Sequence, residues 1–393
     1  MATFTETEIG DLVDRVRSWS PATDSTDAEF TYIDLSSVDK YSKSIVSPVQ
    51  TPCADAPSRA RQLVAYRDVL VSTVRPNLNG AASVPAELDG ATASTGFCVL
   101  RPRPDKVCWR YLYHWVRSPA FIRDMTRKAT GASYPAVSDR IIHDSKIRLP
   151  KLEEQKRIAA ILDKADAIRR KRQEAKSEVG ELRRATFLDF FGAPALNNRE
   201  WPTAPIAEVC TKVTDGTHDT PPRLADGVLL ITGKNIRPFR VDLTQTDYVS
   251  PHDHQEIYRR CNPEFGDILY TNIGVKVGTA VMNPFRHEFS MKNVALLKPQ
   301  YDVLMSRYLE FLLNDQQFLH KMLASSSKGG AQSFLSLTSI RQARIPVPEL
   351  SLQKRFEDFA NQLSETEKRC ELHEQETDHL FNSLVQRAFN GEL

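Results

Sequence analysis

At 393 residues the chain is too long for one ordinary core and suits two domains with spacers. Its 41% hydrophobic and 26% charged residues exclude a disordered chain, and no apolar run nears the roughly 20 residues that a membrane span needs. A formal net charge of +2 is nearly neutral and argues weakly against a protein that coats nucleic acid by bulk charge, and six cysteines with no C-x-x-C pair suggest neither a zinc site nor a disulfide framework.

The start, MATFTETEIGDLVDRV, has no basic stretch followed by an apolar one, so a cytoplasmic chain without a secretory signal is expected. The first block, residues 1–148, holds short β-type runs such as LVAYRDVLVSTV at 63–74, with Pro, Gly, Asn and Asp between them. An aromatic-rich amphipathic helix is expected over 109–125. A segment at 149–192 follows with apolar residues at heptad spacing: Ile158, Ala165 and Val179 at a, Ile161, Ile168, Ala175 and Leu182 at d. Without interior proline it should form a helix of roughly 35 to 40 residues, about 50 to 60 Å long. Breakers in FFGAPALNNREWP at 190–202 end it. The second block, 193–346, has the same texture, with GVLLITG at 227–233, GDILYTNIGV at 266–275 and a helix expected over 306–322. The last segment, 347–393, should be a second long helix with Phe356, Leu363 and Leu384 at a and Phe359 and Leu380 at d. Arg172, Cys370, His373 and Thr377 interrupt the two seams.

The blocks are copies. IRLPKLEEQKRI at 147–158 matches IPVPELSLQKRF at 345–356, an offset of 198. RDVLVSTVRP at 67–76 matches GDILYTNIGV, bringing Asp68 onto Asp267 and Leu70 onto Leu269. RYLYHWVRSPAFIRDM at 110–125 matches RYLEFLLNDQQFLHKM at 307–322, and Gly131-Ala132 falls on Gly330-Ala331. Four collinear matches predict an α+β architecture of two similar domains, each followed by a long helix. Net charges of +3 over 151–192 and −4 over 351–393 suit pairing of the two helices with each other.

Catalytic signatures are weak. Asn262-Pro263-Glu264-Phe265 resembles a methyltransferase tetrapeptide but lacks its second proline and any F-x-G-x-G partner, so a turn before a strand is expected. There is no phosphate-binding G-x-x-x-x-G-K-[ST]. His252-Asp253-His254 with Glu256 reads as a solvated loop rather than a metal site.

The P-K-L-E-E-Q-K-R-I element at 150–158 is similar to the start of the spacer helices of type I restriction-modification specificity subunits. GASYPAVS at 131–138, GGAQSFLS at 329–336, DGTHDTPP at 215–222 and LVQRAFNGEL at 384–393 resemble the same family, in family order along the whole chain. Phe334, where many relatives carry proline, and the non-acidic L-S-L-Q-K-R-F opening of the second spacer depart from its pattern. The resemblance implies a noncatalytic subunit with two target-recognition domains separated by two long antiparallel spacer helices, a pseudo-two-fold repeat. Each domain would read one half of a bipartite double-stranded DNA site. It also implies two modification subunits docked on the helices, through Ile158, Ile161, Ile168, Leu182, Phe356, Phe359, Leu363 and Leu380, and restriction subunits beyond them. S-adenosylmethionine, ATP and Mg are then expected in the partner subunits, with no cofactor or metal in this chain. A nucleic-acid adaptor outside restriction and a coiled-coil scaffold are the other readings of the same residues.

Candidate DNA contacts follow from side-chain chemistry on expected loops. In the first block they are Arg75, Asn77 and Asn79 after a strand end, with Thr130, Ser133 and Tyr134 on the glycine-led loop. In the second they are Thr217, His218, Thr220, Lys234, Asn235, Asn272 and Lys276, with Lys328, Gln332 and Ser333 on the matching loop. Glutamine can pair bidentately with adenine, while lysine and loop amides suit phosphates.

Overall fold

Residues 4–24, 28–274, 276–326 and 334–393 are described by the computed structural model. They fall into two units, Met1–Lys176 with Cys370–Leu393, and Ser177–Arg369. Each unit thus joins one block to stretches of both long helices, Leu152–Phe191 and Leu350–Asn390.

In the first unit Thr5–Glu8 pairs antiparallel with Lys146–Leu149 and ties the two ends of the block together. Between them lies one sheet in the order Val13–Asp14, Phe97–Pro102, Val69–Ser72, Ala81–Ser83. A second sheet runs Val49–Pro52, Glu29–Ile33, Thr92–Ser94, Ala60–Leu63, with its middle two strands parallel. The second unit repeats the plan. Thr203–Pro205 pairs with Arg344–Pro346, and one sheet runs Cys210–Asp215, Ala295–Pro299, Ile268–Tyr270, Ala280–Met282. The other runs Asp247–Val249, Val228–Thr232, Ser290–Lys292, its last two strands parallel. The α+β repeat expected from the sequence is present.

The apolar runs are continuous because the main sheet of each unit is buried on both faces. Val69 and Val71 join a core with the helices, whereas Leu70 between them faces a second core with Ile33 and Phe97. Ile268 and Tyr270 divide from Leu269 in the same way. The matched aspartates are turn locks. Asp68 accepts the Ala65 amide at 2.8 Å and a bidentate contact from Arg101, at 3.0 and 2.8 Å; Asp267 accepts the Glu264 amide and the Lys298 ammonium, both at 2.7 Å. The glutamine of each Q-K-R element fastens its long helix to the block. Gln155 accepts the Cys108 amide at 2.8 Å and donates to the carbonyls of Lys106 and Pro150. Gln353 does the same with Met305, Val303 and Pro348. Tyr111 and Tyr308 add equivalent bonds to the Arg148 and Pro346 carbonyls, at 2.7 and 2.8 Å.

The long helices run antiparallel within each unit, since partner numbers fall on one as they rise on the other. In the first, Arg157 donates to Leu393, Arg172 to His373 and Thr377, and Lys176 pairs with Glu374 at 2.6 Å. In the second, Arg183 pairs with Glu367, and Phe187 and Phe191 pack on Phe356. The cations sit on the central helix and the carboxylates on the C-terminal one, as the opposite net charges require.

Three expectations need correction. The helix over 109–125 is two, Trp109–Val116 and Pro119–Lys128, because Ser118 caps the Phe121 amide and Pro119 occupies the first turn. Its counterpart likewise breaks into Ser306–Leu313 and Gln316–Ser326, with Asp315 accepting the Phe318 amide. His252 to His254 lie in the helix Pro251–Cys261 rather than a loop, and His254 is buried between Ser290 and Glu288. The strict heptad also fails. Gln155, Ile158, Ala159, Leu162 and Asp166 are the buried line of the central helix, while Ile168 and Leu182 are about half exposed, at 53% and 50%. The helix turns this face inward because it packs on Trp109–Val116 as well as on its partner helix, and because Asp166 meets the buried Arg117 at 3.0 Å.

Candidate nucleic-acid interface

In the first unit two candidate loops meet beside the end of Val69–Ser72. Val137 donates to the Thr73 carbonyl and Arg75 to the Pro135 carbonyl, at 2.9 and 2.7 Å, so the 130–137 segment lies alongside 73–75. Thr130 and Ala136 close the segment with reciprocal backbone bonds of 2.9 Å. Arg75 and Asn79 both adopt left-handed backbone angles, with φ of 50° and 51°, at the two ends of a short 3-10 turn. The Asn79 amide donates to the Arg117 carbonyl at 3.3 Å and its carbonyl accepts the Lys43 ammonium at 2.5 Å. Burial, and after it the nearby Arg117 and Arg169, pull Lys43 down to about 8. Asn77, Ser133 and Tyr134 are exposed, and the Arg75 guanidinium lies over the Tyr134 ring, 4.6 Å from its centroid. Arg75 also lines a cleft of about 430 Å³ with Lys40, Tyr41, Val46 and Leu78.

The second unit places a basic cleft of about 470 Å³ beside the matching strand end. Arg223, Lys234, Arg237, Lys276 and Lys292 line it with Thr271 and Asn293. Lys234 and Arg223 share Asp247, each at 2.9 Å, and Arg237 meets Asp242 at 3.0 Å, so among the described residues five cations face two partner carboxylates. The DGTHDTPP segment supports two of the cleft's lining residues, Lys292 and Asn293. Gly216 is required there, since a Cβ would stand 2.1 Å from the Met291 carbonyl oxygen. Thr217 then donates its amide to Met291 at 2.9 Å and caps Asp219 through its hydroxyl. His218 bridges Asp215 and Asn293 at 2.7 and 2.9 Å, and Thr220 accepts the Lys292 ammonium.

Two candidates are corrected. Asn235 is buried and spends its side chain on Thr232, Asp242 and Gln245, and Asn272 is buried and donates to the Leu335 carbonyl at 3.1 Å. The Asn235 amide is fully spent on shaping its loop, while the Asn272 Oδ1 has no partner among the described residues. Lys328, Gln332 and Ser333 lie outside the described residues. Residues 72–178 match the family described as type I restriction modification DNA specificity domain. A relative, the type I restriction enzyme EcoBI specificity subunit of Escherichia coli, is 23% identical over 330 residues, covering 75% of this chain and 68% of its own. A solved chain from a study of the assembly and conformational transition of a type I R-M system is 25% identical, with a TM-score of 0.59 and coverage of 99% of this chain and 98% of that one. The chain is similar to type I restriction-modification specificity subunits.

The S subunit of M. genitalium shares the fold at 14% identity, with a TM-score of 0.59 over 99% of this chain and 96% of its own. In this chain the matched domain takes in both first-unit loops, from Arg75 to Tyr134, and runs on into the central helix. The sequence reading overlooked Lys40, Tyr41 and Lys43 beside those loops, and Arg223, Arg237 and Lys292 in the basic cleft. Their signal is three-dimensional, because the cleft cations are spread over 223–292 and only the sheet gathers them. The helix residues expected to meet partners also divide. Ile158, Phe356 and Leu363 are buried within the chain; Ile161 and Phe359 are half-buried; Ile168, Leu182 and Leu380 are exposed. No helix of the described residues is long and apolar enough to cross a membrane.

Proposed function

We propose that each unit reads one half of a bipartite double-stranded DNA target through the loops at the matched strand ends, and that the chain itself performs no chemistry. The observation that carries this reading is the repeated placement of polar and cationic residues: Arg75 and Tyr134 beside the end of Val69–Ser72 in one unit, and in the other a cleft that Lys276 lines just past the matched strand Ile268–Tyr270, joined there by Lys234 and Lys292 from the second sheet. A half-site of a few base pairs discriminates by roughly 1 to 3 kcal/mol per mismatch, and linking two readers multiplies that selectivity. The exposed Ile168, Leu182, Leu372 and Leu380 on the long helices support docking of two modification subunits by added helices. Those partners would bring S-adenosylmethionine, and restriction subunits would bring ATP and Mg, in the cytoplasm. The test is methylome sequencing of a host carrying the chain with its modification subunit. Two short specified elements with centres about 10 base pairs apart are expected. Exchange of residues 1–148 for a homologous block should alter one element alone, and a swap that alters both or neither overturns the division of labour.

A further inference from the structure

Three backbone positions with positive φ recur in the two units at an offset of 199. They are Arg67 and Gly266, Arg75 and Gly274, Asn79 and Gly278, with φ of 73° and 91°, 50° and 98°, 51° and 92°. Glycine adopts this region without strain and asparagine with little, whereas arginine does so against the clash of its Cβ with the carbonyl. At 75 the strain is held in place by the Arg75 amide bond to Pro135 and the bridge between Val74 and Ala136. What it achieves is orientation. The exposed guanidinium is laid on Tyr134, itself 69% exposed, and among the described residues it makes no hydrogen bond. Stacking occupies the face of the guanidinium and leaves its edge donors free and pre-aligned.

We propose that Arg75 reads a guanine in the half-site of the first domain, with Tyr134 as its platform; this rests on the DNA-recognition reading above. Guanine presents two acceptors, O6 and N7, on one major-groove edge, and a planar fork matches both at once. A phosphate would need neither the stacked plane nor the strained backbone, since a lysine on a relaxed loop serves as well. The second domain has Gly274 at the matched position, so the two half-sites differ in this element.

The test uses the full chain with its modification subunit and a library of randomised double-stranded DNA, read by selection and by methylation sequencing. The parent should return a guanine at one fixed place in one half-site. Arg75→Gly should lower the preference there by about 10- to 100-fold and leave the other half-site intact. Because glycine suits this φ, its thermal midpoint should not fall, which removes misfolding as an explanation. Arg75→Lys should fail in the same way, and Tyr134→Leu should weaken the same position. Arg67→Gly is the control: Arg67 is also left-handed and lies over the Tyr66 ring at 4.7 Å, but precedes the strand instead of following it, so base choice should not change. Unaltered preference in Arg75→Gly overturns the proposal, as does a uniform loss of affinity with a shallower salt dependence, which marks a phosphate contact. A parent that selects no motif overturns the DNA-recognition reading itself.

Discussion

Asp166→Asn tests how the first recognition domain is fixed to the central helix. The Asp166 carboxylate is 1% exposed and takes Arg117, 5% exposed, through contacts of 3.0 and 3.2 Å, with Arg169 at 3.0 Å and Arg170 at 3.4 Å. Burial works to raise the carboxyl, but Arg117, Arg169 and Arg170 together hold it below its ordinary value of 3.8. Removing one partner of a buried pair leaves the other charge unmatched and costs about 3 to 5 kcal/mol. For a unit of this size, about 2 to 4 °C per kcal/mol converts that into a fall of roughly 6 to 20 °C in the first unit's melting transition. Differential scanning calorimetry would read it, with Glu153→Gln as control, because its contact to Lys156 is a solvent-screened exposed pair whose loss should leave the transition in place. The double change Arg117→Met with Asp166→Leu should be milder than the single one, since no charge is stranded. A folded pKa below the unfolded value means the pair stabilises fully above pH 3.8 and fades as pH falls below it, so acid destabilisation in that window should be blunted in Asp166→Asn. If Asp166→Asn melts within about 2 °C of the parent, the network does not hold the domain to its helix.

Gln353→Leu strands the Met305 amide and the Val303 and Pro348 carbonyls, so urea denaturation should show the second unit weakened by about 3 kcal/mol or more and the first unchanged. Lys43 titrates at about 8 in the fold against 10.5 unfolded; the unfolded chain therefore binds more protons between these values, and stability of the first unit should rise with pH across that window. Lys43→Met should flatten that rise in denaturation series, and an unchanged slope would count against the buried ammonium. Because Arg172 meets Thr377 and Lys176 meets Glu374, a longer spacer needs matched insertions. Seven residues after Lys171 and seven after Thr377 add about 10 Å, and the methylated motif should gain roughly three base pairs of gap. An unchanged gap in an active variant would show that the helices do not set it.

The architecture was legible because duplication writes each constraint twice. Asp68 with Asp267, Gln155 with Gln353 and Tyr111 with Tyr308 stand out as matches, and each makes the same bonds in both copies. The seam of the long helices was misread, since a heptad presumes that a helix packs on one partner, and here the blocks claim part of the face. The break between Ser118 and Pro119 carried a readable cap and was passed over for the amphipathic pattern around it. Loop polarity is a poor guide to reach: Asn235 has the chemistry of a base reader yet is consumed by the backbone, while Lys292 leaves a strand for the cleft with no local mark.

The first unit is completed by residues 370–393, whose Phe381, Val385, Ala388 and Phe389 close a core that also holds Tyr111, Ile158 and Leu162. During synthesis that core waits for everything between 176 and 370 to be made, roughly 10 to 40 s at about 5 to 20 residues per second. In that interval the face around Ile158 and Leu162 has no cover of its own. A ribosome that stalls in the second block therefore releases a first domain already made yet still sticky, and chaperone capture of nascent chains should peak while the second block emerges and fall once residue 389 has cleared the exit tunnel.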